Sequence, residues 1–335
     1  MTGFPLIIAF IVAIVFMIVA ISKFKIHPFL SIMGVSLILG LVAGIPLVDQ
    51  TASDGTVTSG LATVIGAGFS GTFTSIGIVI ILGALIGSIL EETGAALKLA
   101  DMVIHLVGKN HPELAMELMG WVVSIPVFCD SGFVILNPIR KALVNRTGVS
   151  SVAMSIALSC GLYISHVFIP PTPGPIAAAS TLGIGDNLLM VMGIGALCSV
   201  FPLIAGYFYA KYIGKKVTAD DEANCNDVKK SYEELVAEYG KLPNGFIALA
   251  PILIPILLMG ASSIASMAGW SGTANDILKF LGTPIIALAV GTIFGVIQLV
   301  GARRIDKFYD LTNETLKTVG PILFVTAAGG VLGKV

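Results

Sequence analysis

The chain has 335 residues, of which 56% are hydrophobic and 12% charged, with a net charge of −1 and a mean hydropathy of +0.96. Soluble domains carry about 25% charged residues, so this composition cannot clothe a water-facing surface, and no basic stripe is present for nucleic acid. What remains is a polytopic membrane protein.

Phe4 to Ile21 and Phe29 to Leu47 are apolar on every face and long enough to cross the bilayer, which predicts spanning helices rather than the alternating strands of a barrel. No basic stretch precedes the first run and a second follows at once, so it reads as a retained span and not a leader. Lys23 and Lys25 lie between the two, whereas Asp49 and Asp54 follow the second with no basic residue near. Because basic loops stay cytoplasmic, the N-terminus is expected outside. Lys98 and Lys109, then Arg140, Lys141 and Arg146, then Lys211, Lys215 and Lys216, then Arg303, Arg304 and Lys307 mark further cytoplasmic stretches.

Residues 112–145 begin and end on that same side yet are too apolar for water, which predicts a re-entrant hairpin with its tip at Pro126 to Gly132. Trp121 falls inside it. Residues 150–182 are interrupted by Pro170, Pro171, Pro173, Gly174 and Pro175, too many breakers for one continuous helix, so a discontinuous helix is expected. Asp186 is the candidate N-cap of the next span, Leu188 to Tyr209.

Gly214 to Leu242 holds 12 of the 39 charged residues and reads as a solvated cytoplasmic loop with one short helix at Ser231 to Tyr239. It divides residues 1–213, a first transmembrane repeat, from 243–335. In the latter, Gly245-Phe246 echoes Gly3-Phe4 ahead of the apolar run Phe246 to Met267, and Gly329 and Gly333 match Gly83 and Gly87 with the side reversed. The expected fold is therefore an all-α inverted-repeat secondary transporter. Its second repeat starts but does not reach a second hairpin or broken helix, so this repeat is expected to be truncated.

Two constellations carry candidate chemistry. In the first, Ile125 to Ile139 (IPVFCDSGFVILNPI), Asp130 is an acid at membrane depth, which marks an ion or substrate pathway, although it can also cap the returning helix. Ser131 and Gly132 would offer backbone N–H groups to an anion there. In the second, Ser165 to Pro175 (SHVFIPPTPGP), Thr172 supplies a hydroxyl in the break, Pro173 holds the backbone, and Gly174 permits close approach of a ligand. His166 can exchange a proton near neutral pH, or serve as a hydrogen-bonded structural residue. Glu91 and Glu92 read either as a solvated helix end or as a gating pair. Cys129, Cys160, Cys198 and Cys225 show no metal or disulfide spacing, and no metal or cofactor is expected beyond a coupling ion.

These two motifs resemble those of the gluconate permeases. IPVFCDSGFVIL is similar to that family's hairpin motif, HVFIPPTPGPIAAA to its proline-rich break, and Gly83 to Gly94 to its glycine-rich helix and acidic turn. Thr172 stands where the family often has histidine, and Cys129 where it has a bulkier residue. The resemblance implies the ion-transporter superfamily plan, with elevator-like movement, a homodimer in the bacterial inner membrane, and proton-coupled import of a small organic anion such as gluconate or glycerate. Asp130 and His166 are then the candidate coupling residues, and Asp130, Ser131, Gly132, Thr172, Pro173 and Gly174 the candidate substrate contacts. A sodium-coupled carrier of a related acid or of D-serine is the alternative. An intramembrane enzyme lacks a paired Ser/His or a metal-ligand set.

Overall fold

The computed structural model of the chain describes residues 4–51, 53, 55–96, 98, 102, 111–125, 129–217 and 244–335. The architecture is all-α, relieved only by a two-stranded hairpin of β1 (Gln50–Thr51) and β2 (Val57–Thr58). Among the described residues seven helices are long and apolar enough to cross a membrane. The helix expected at Ser231 to Tyr239 lies outside the described residues.

The chain divides into two compact units. The first is Met1–Ile78 with Lys317–Val335. It contains α1 (Phe4–Ser22), α2 (Pro28–Ala43) and α3 (Leu61–Thr72), with a π-helical turn at Phe73–Gly77. The second expected span proves shorter than Phe29 to Leu47. Gly44, at φ +89°, takes the left-handed cap position and its N–H reaches back to Gly40 and Leu41, so the helix closes before Pro46. Outside the membrane, Gly60 N donates to Asp49 Oδ1 at 2.6 Å, and this bond, with a weaker one from Thr63, holds the Asp49 carboxyl below the ordinary range. The end of the chain packs on α3 through small residues. A Cβ on Gly68 would stand 2.8 Å from Val331 Cα, and Phe29, Phe69, Phe73 and Phe324 form an aromatic cluster beside this crossing.

The second unit, Val79–Leu316, holds both candidate constellations. Its elements are α4 (Ile78–Glu92), α5 (Pro112–Val123), α6 (Cys129–Thr147), α7 (Ser151–Phe168), α8 (Pro173–Thr181), α9 (Leu188–Ile213), α10 (Gly245–Met267), α11 (Thr273–Gly282), α12 (Pro284–Gly301) and α13 (Phe308–Lys334), which continues into the first unit. Helix α9 starts after a 3-10 turn at Gly185–Asn187, so the N-cap position falls on Asn187 rather than on Asp186, and Asn187 makes no side-chain cap bond. The core runs through Met116 and Met119 of α5, Leu136 and Ile139 of α6, Met154, Leu158 and Leu162 of α7, and Ala210 of α9. Helices α5 and α7 touch backbone to backbone because Gly120 and Gly161 leave no side chain between them, and a Cβ on Gly120 would meet Leu158 O at 2.7 Å.

Arg140, counted from sequence as a loop cation, is instead buried in α6. It donates to Asn137 Oδ1 at 2.8 Å and to Ser151 Oγ at 2.6 Å, which ties α6 to the first residue of α7. Glu92 is paired rather than merely solvated. Its carboxylate lies 2.6 Å from Arg304 and 2.8 Å from Lys307, and so joins the end of α4 to the 3-10 turn Ile305–Lys307 that precedes α13.

Candidate functional site

The discontinuous helix is present as α7, a gap at Ile169 to Thr172, and α8. An uninterrupted helix would pass amide donors from residues 170, 171 and 173 to the carbonyls of His166, Val167 and Ile169, but all three donors are proline and have no N–H. One of the stranded carbonyls is recovered locally, since Thr172 Oγ1 donates to Ile169 O at 2.7 Å. The Phe168 carbonyl abuts Gly195 of α9, where any Cβ would overlap it. The Pro170–Pro171 peptide is cis.

Helix α8 starts with an unusual poverty of donors. The first-turn amides of a helix ordinarily face outward unsatisfied, but Pro173 and Pro175 have none. Ile176 N reaches Thr172 O at 3.4 Å, and Gly174 N makes no hydrogen bond among the described residues. Gly174 is exposed, and a Cβ there would meet nothing within 4 Å. Thus no packing among the described residues, beyond its two proline neighbours, requires the small residue at 174.

The hairpin segment appears as α5 and α6, both packed on α7. Residues 126–128 of its expected tip, and the side chains of Asp130, Ser131 and Pro173, lie outside the described residues. Asp130 and Ser131 occupy the second and third positions of α6. Gly132 follows them and is buried, where a Cβ would stand 2.6 Å from Leu162 Cδ2, so its smallness serves the contact of α6 with α7. Trp121 is held in the same region, its indole N–H donating to Ser199 Oγ of α9 at 3.0 Å.

The two constellations converge. Ile125, at the end of α5, and Pro170 and Pro171, in the gap, line one cavity together with Gly83 and Ile86 of α4 and Pro251 and Pro255 of α10. Its lining is wholly apolar and cannot itself hold an anion. A Cβ on Gly83 would lie 3.0 Å from Pro171 Cγ, which explains one glycine of the glycine-rich helix. His166 lies half-buried in the last turn of α7, one turn ahead of the gap.

Sequence reasoning passed over three features here. Ser165 is wholly buried with a hydroxyl that has no partner among the described residues. Pro251 and Pro255 border the cavity from a helix that does not break. Glu117, wholly buried in α5, was also missed, although Glu113 and Glu117 stand four apart in an apolar helix and so share one face.

A family model described as GntP family permease matches residues 4–335. The chain belongs to this family. It is accordingly a transport protein and not an enzyme. An uncharacterized permease of Haemophilus influenzae is 34% identical over 347 residues, covering 100% of this chain and 68% of that protein. A gluconate permease of Zymomonas mobilis is 30% identical, covering 98% and 70%. The low-affinity gluconate transporter of Escherichia coli is 28% identical, covering 100% and 72%. Bacterial relatives and seven apolar helices together make this GntP permease a multi-pass protein of the inner membrane.

Proposed function

We propose that this permease imports gluconate or a closely related hydroxy acid by proton symport. The supporting observation is the convergence of the end of α5 and the proline break on one cavity, in a chain whose relatives include gluconate permeases and transporters. The substrate lies between the start of α6 and the start of α8, with the Gly174 amide, the hydroxyl of Ser131 and the first amides of α6 as donors, while the Thr172 hydroxyl, whose proton goes to Ile169 O, accepts from a substrate hydroxyl. Gly132 and Pro173 shape the backbone at the two helix starts. Asp130 repels an anion while ionised, so its part is to carry a proton or to cap α6, with His166 as a second exchangeable group.

In this reading residues 1–213 and 243–335 belong to inverted repeats joined by the loop 214–242, the N-terminus lies outside, and the protein moves by the elevator principle as a homodimer. The echo of Gly3-Phe4 in Gly245-Phe246, and of Gly83 and Gly87 in Gly329 and Gly333, supports the repeat.

The test is uptake of labelled gluconate, glycerate and D-serine by cells lacking their own carriers and expressing the whole gene. Gluconate or glycerate accumulation that a protonophore abolishes, and that survives replacement of sodium by choline, is expected. Sodium-dependent uptake would replace the proton with the other ion, and preference for D-serine would overturn the substrate.

A further inference from the structure

Glu117 sits where α5, α7 and α9 meet. None of its side chain is exposed, and neither carboxylate oxygen has a hydrogen-bond partner among the described residues. Room for the group is made by a neighbour. A Cβ on Gly206 of α9 would stand 2.5 Å from Glu117 Oε1 and 3.1 Å from Cys160 Cβ of α7. On the other side of the residue, Gly161 of α7 lies so close to the Glu117 carbonyl that any side chain would overlap it. The carboxyl is thus shut off from solvent, with α9 and α7 against it at Gly206 and Cys160.

No cation reaches it among the described residues. The titratable group beside it on α7 is the Cys160 thiol. On α9, Lys211 interacts with Tyr207 and with Glu113, one turn before Glu117 on α5. On α6, Arg140 is bound to Asn137 and Ser151. Helix α10, which packs on α9, contains no charged residue. An ionised carboxylate with no donor and no counter-charge in such a place is strongly disfavoured, and buried acids in membrane proteins mark proton relays.

We infer that Glu117 is a proton-binding site of the transport cycle. It holds its proton while α5, α7 and α9 are packed as seen here, and when that junction opens to water the O–H bond breaks, the proton passes to water and a carboxylate remains. The inference rests on the proton-symport reading for its role in transport, but the binding of the proton can be read independently of it.

Glu117→Gln keeps the shape and removes the charge and the exchangeable acid. In proteoliposomes the variant is expected to keep substrate counterflow, which needs no net proton movement, and to lose accumulation driven by a pH gradient, reaching equilibration only. Accumulation equal to wild type would overturn the inference. The second readout is the infrared carbonyl stretch of protonated carboxyl groups in the purified wild-type protein. A band is expected that is absent from Glu117→Gln and is lost or shifted when substrate is added. If Glu117→Gln does not yield monodisperse protein, Glu117→Asp, which keeps the acid and displaces its band, makes the assignment. Absence of any band assignable to residue 117 overturns the inference. If wild type shows no proton-driven accumulation but the band is present, the symport reading fails and the proton site stands.

Discussion

Two stretches of this permease are rich in proline at membrane depth, and they behave in opposite ways. Between α7 and α8, Pro170, Pro171, Pro173 and Pro175 stop the helix, whereas Pro251 and Pro255 sit inside α10, which runs unbroken from Gly245 to Met267. The difference lies in what receives the carbonyls that each proline strands. Pro251 deprives Ile247 O of its amide donor, and Gln298 of α12 donates its side-chain N–H to that oxygen. Pro255 deprives Pro251 O, and Gly291, two turns from Gln298 on the same face of α12, lets the neighbouring backbone lie against it, since a Cβ there would stand 2.6 Å away. The partner helix therefore supplies a donor for the first loss in α10 and packs its backbone against the second. In the other stretch three donors vanish within four residues, and Thr172 makes up for one of them from within the gap. Proline spacing against a helix turn, and the presence of a donor on the facing helix, decide whether a membrane helix kinks or breaks.

The largest expected effect comes from filling the space where α9 lies on the break. Gly195→Ala places a methyl group on the Phe168 carbonyl, a backbone atom that cannot rotate away, and is expected to cost about 3 kcal/mol or to abolish folding. Recovery of monodisperse protein in detergent, with its midpoint of thermal unfolding, checks this. Wild-type stability in the variant would mean that α9 does not hold the gap.

The sharper test of the comparison is a double-mutant cycle in α10 and α12. Gln298→Leu leaves Ile247 O buried without its donor and is expected to cost about 1–3 kcal/mol. In a Pro251→Ala background the restored amide serves that carbonyl, so the same substitution should cost roughly 1 kcal/mol less. Equal costs in both backgrounds would show that Gln298 stabilises the helix pair for some reason unconnected with the proline. Thr172→Val, which removes the single local compensation at the break, is expected to cost about 1 kcal/mol. Its effect should fall on stability and transport together, because the hydroxyl closes α7 and, in the proposed reading, accepts from the substrate.

Much of this was legible in the residues. The density of Pro170, Pro171, Pro173 and Pro175 announces a break whatever surrounds it, because missing amides are a local fact. The spans were equally plain, with α2 ending early only because Gly44 and Pro46 interrupt an otherwise apolar run. The survival of α10 was not legible, since Gln298 is a lone amide in an apolar helix 51 residues from the carbonyl it serves. The burial of Glu117 likewise depends on Gly206, 89 positions away in the chain. Gly132 carries a further role that the residues did not announce, for a glycine beside an acid in a hairpin motif looks like a ligand contact, and the close approach of Leu162 gives its smallness a packing role as well.

Gly174 is the reverse case, and its substitution gives the smallest structural effect with the most to teach. A glycine in the first turn of a helix is usually no better than alanine, and exchanging it at a compatible position stabilises by about 0.4–1 kcal/mol through the unfolded chain. Apart from its two proline neighbours, nothing among the described residues lies within 4 Å of the added methyl group, but a helical residue before Pro175 meets the proline ring with its Cβ, so the two effects offset and Gly174→Ala should leave thermal stability close to unchanged. A loss of uptake at unchanged stability would then come from something other than packing among the described residues. If the Gly174 amide meets the substrate, the methyl group stands in its way and the KM for uptake should rise several-fold while the unfolding midpoint holds. If uptake is unaffected as well, the amide that two flanking prolines leave alone is not used by the ligand. The donors would then have to come from the start of α6, and the break would serve to shape the cavity and not to bind.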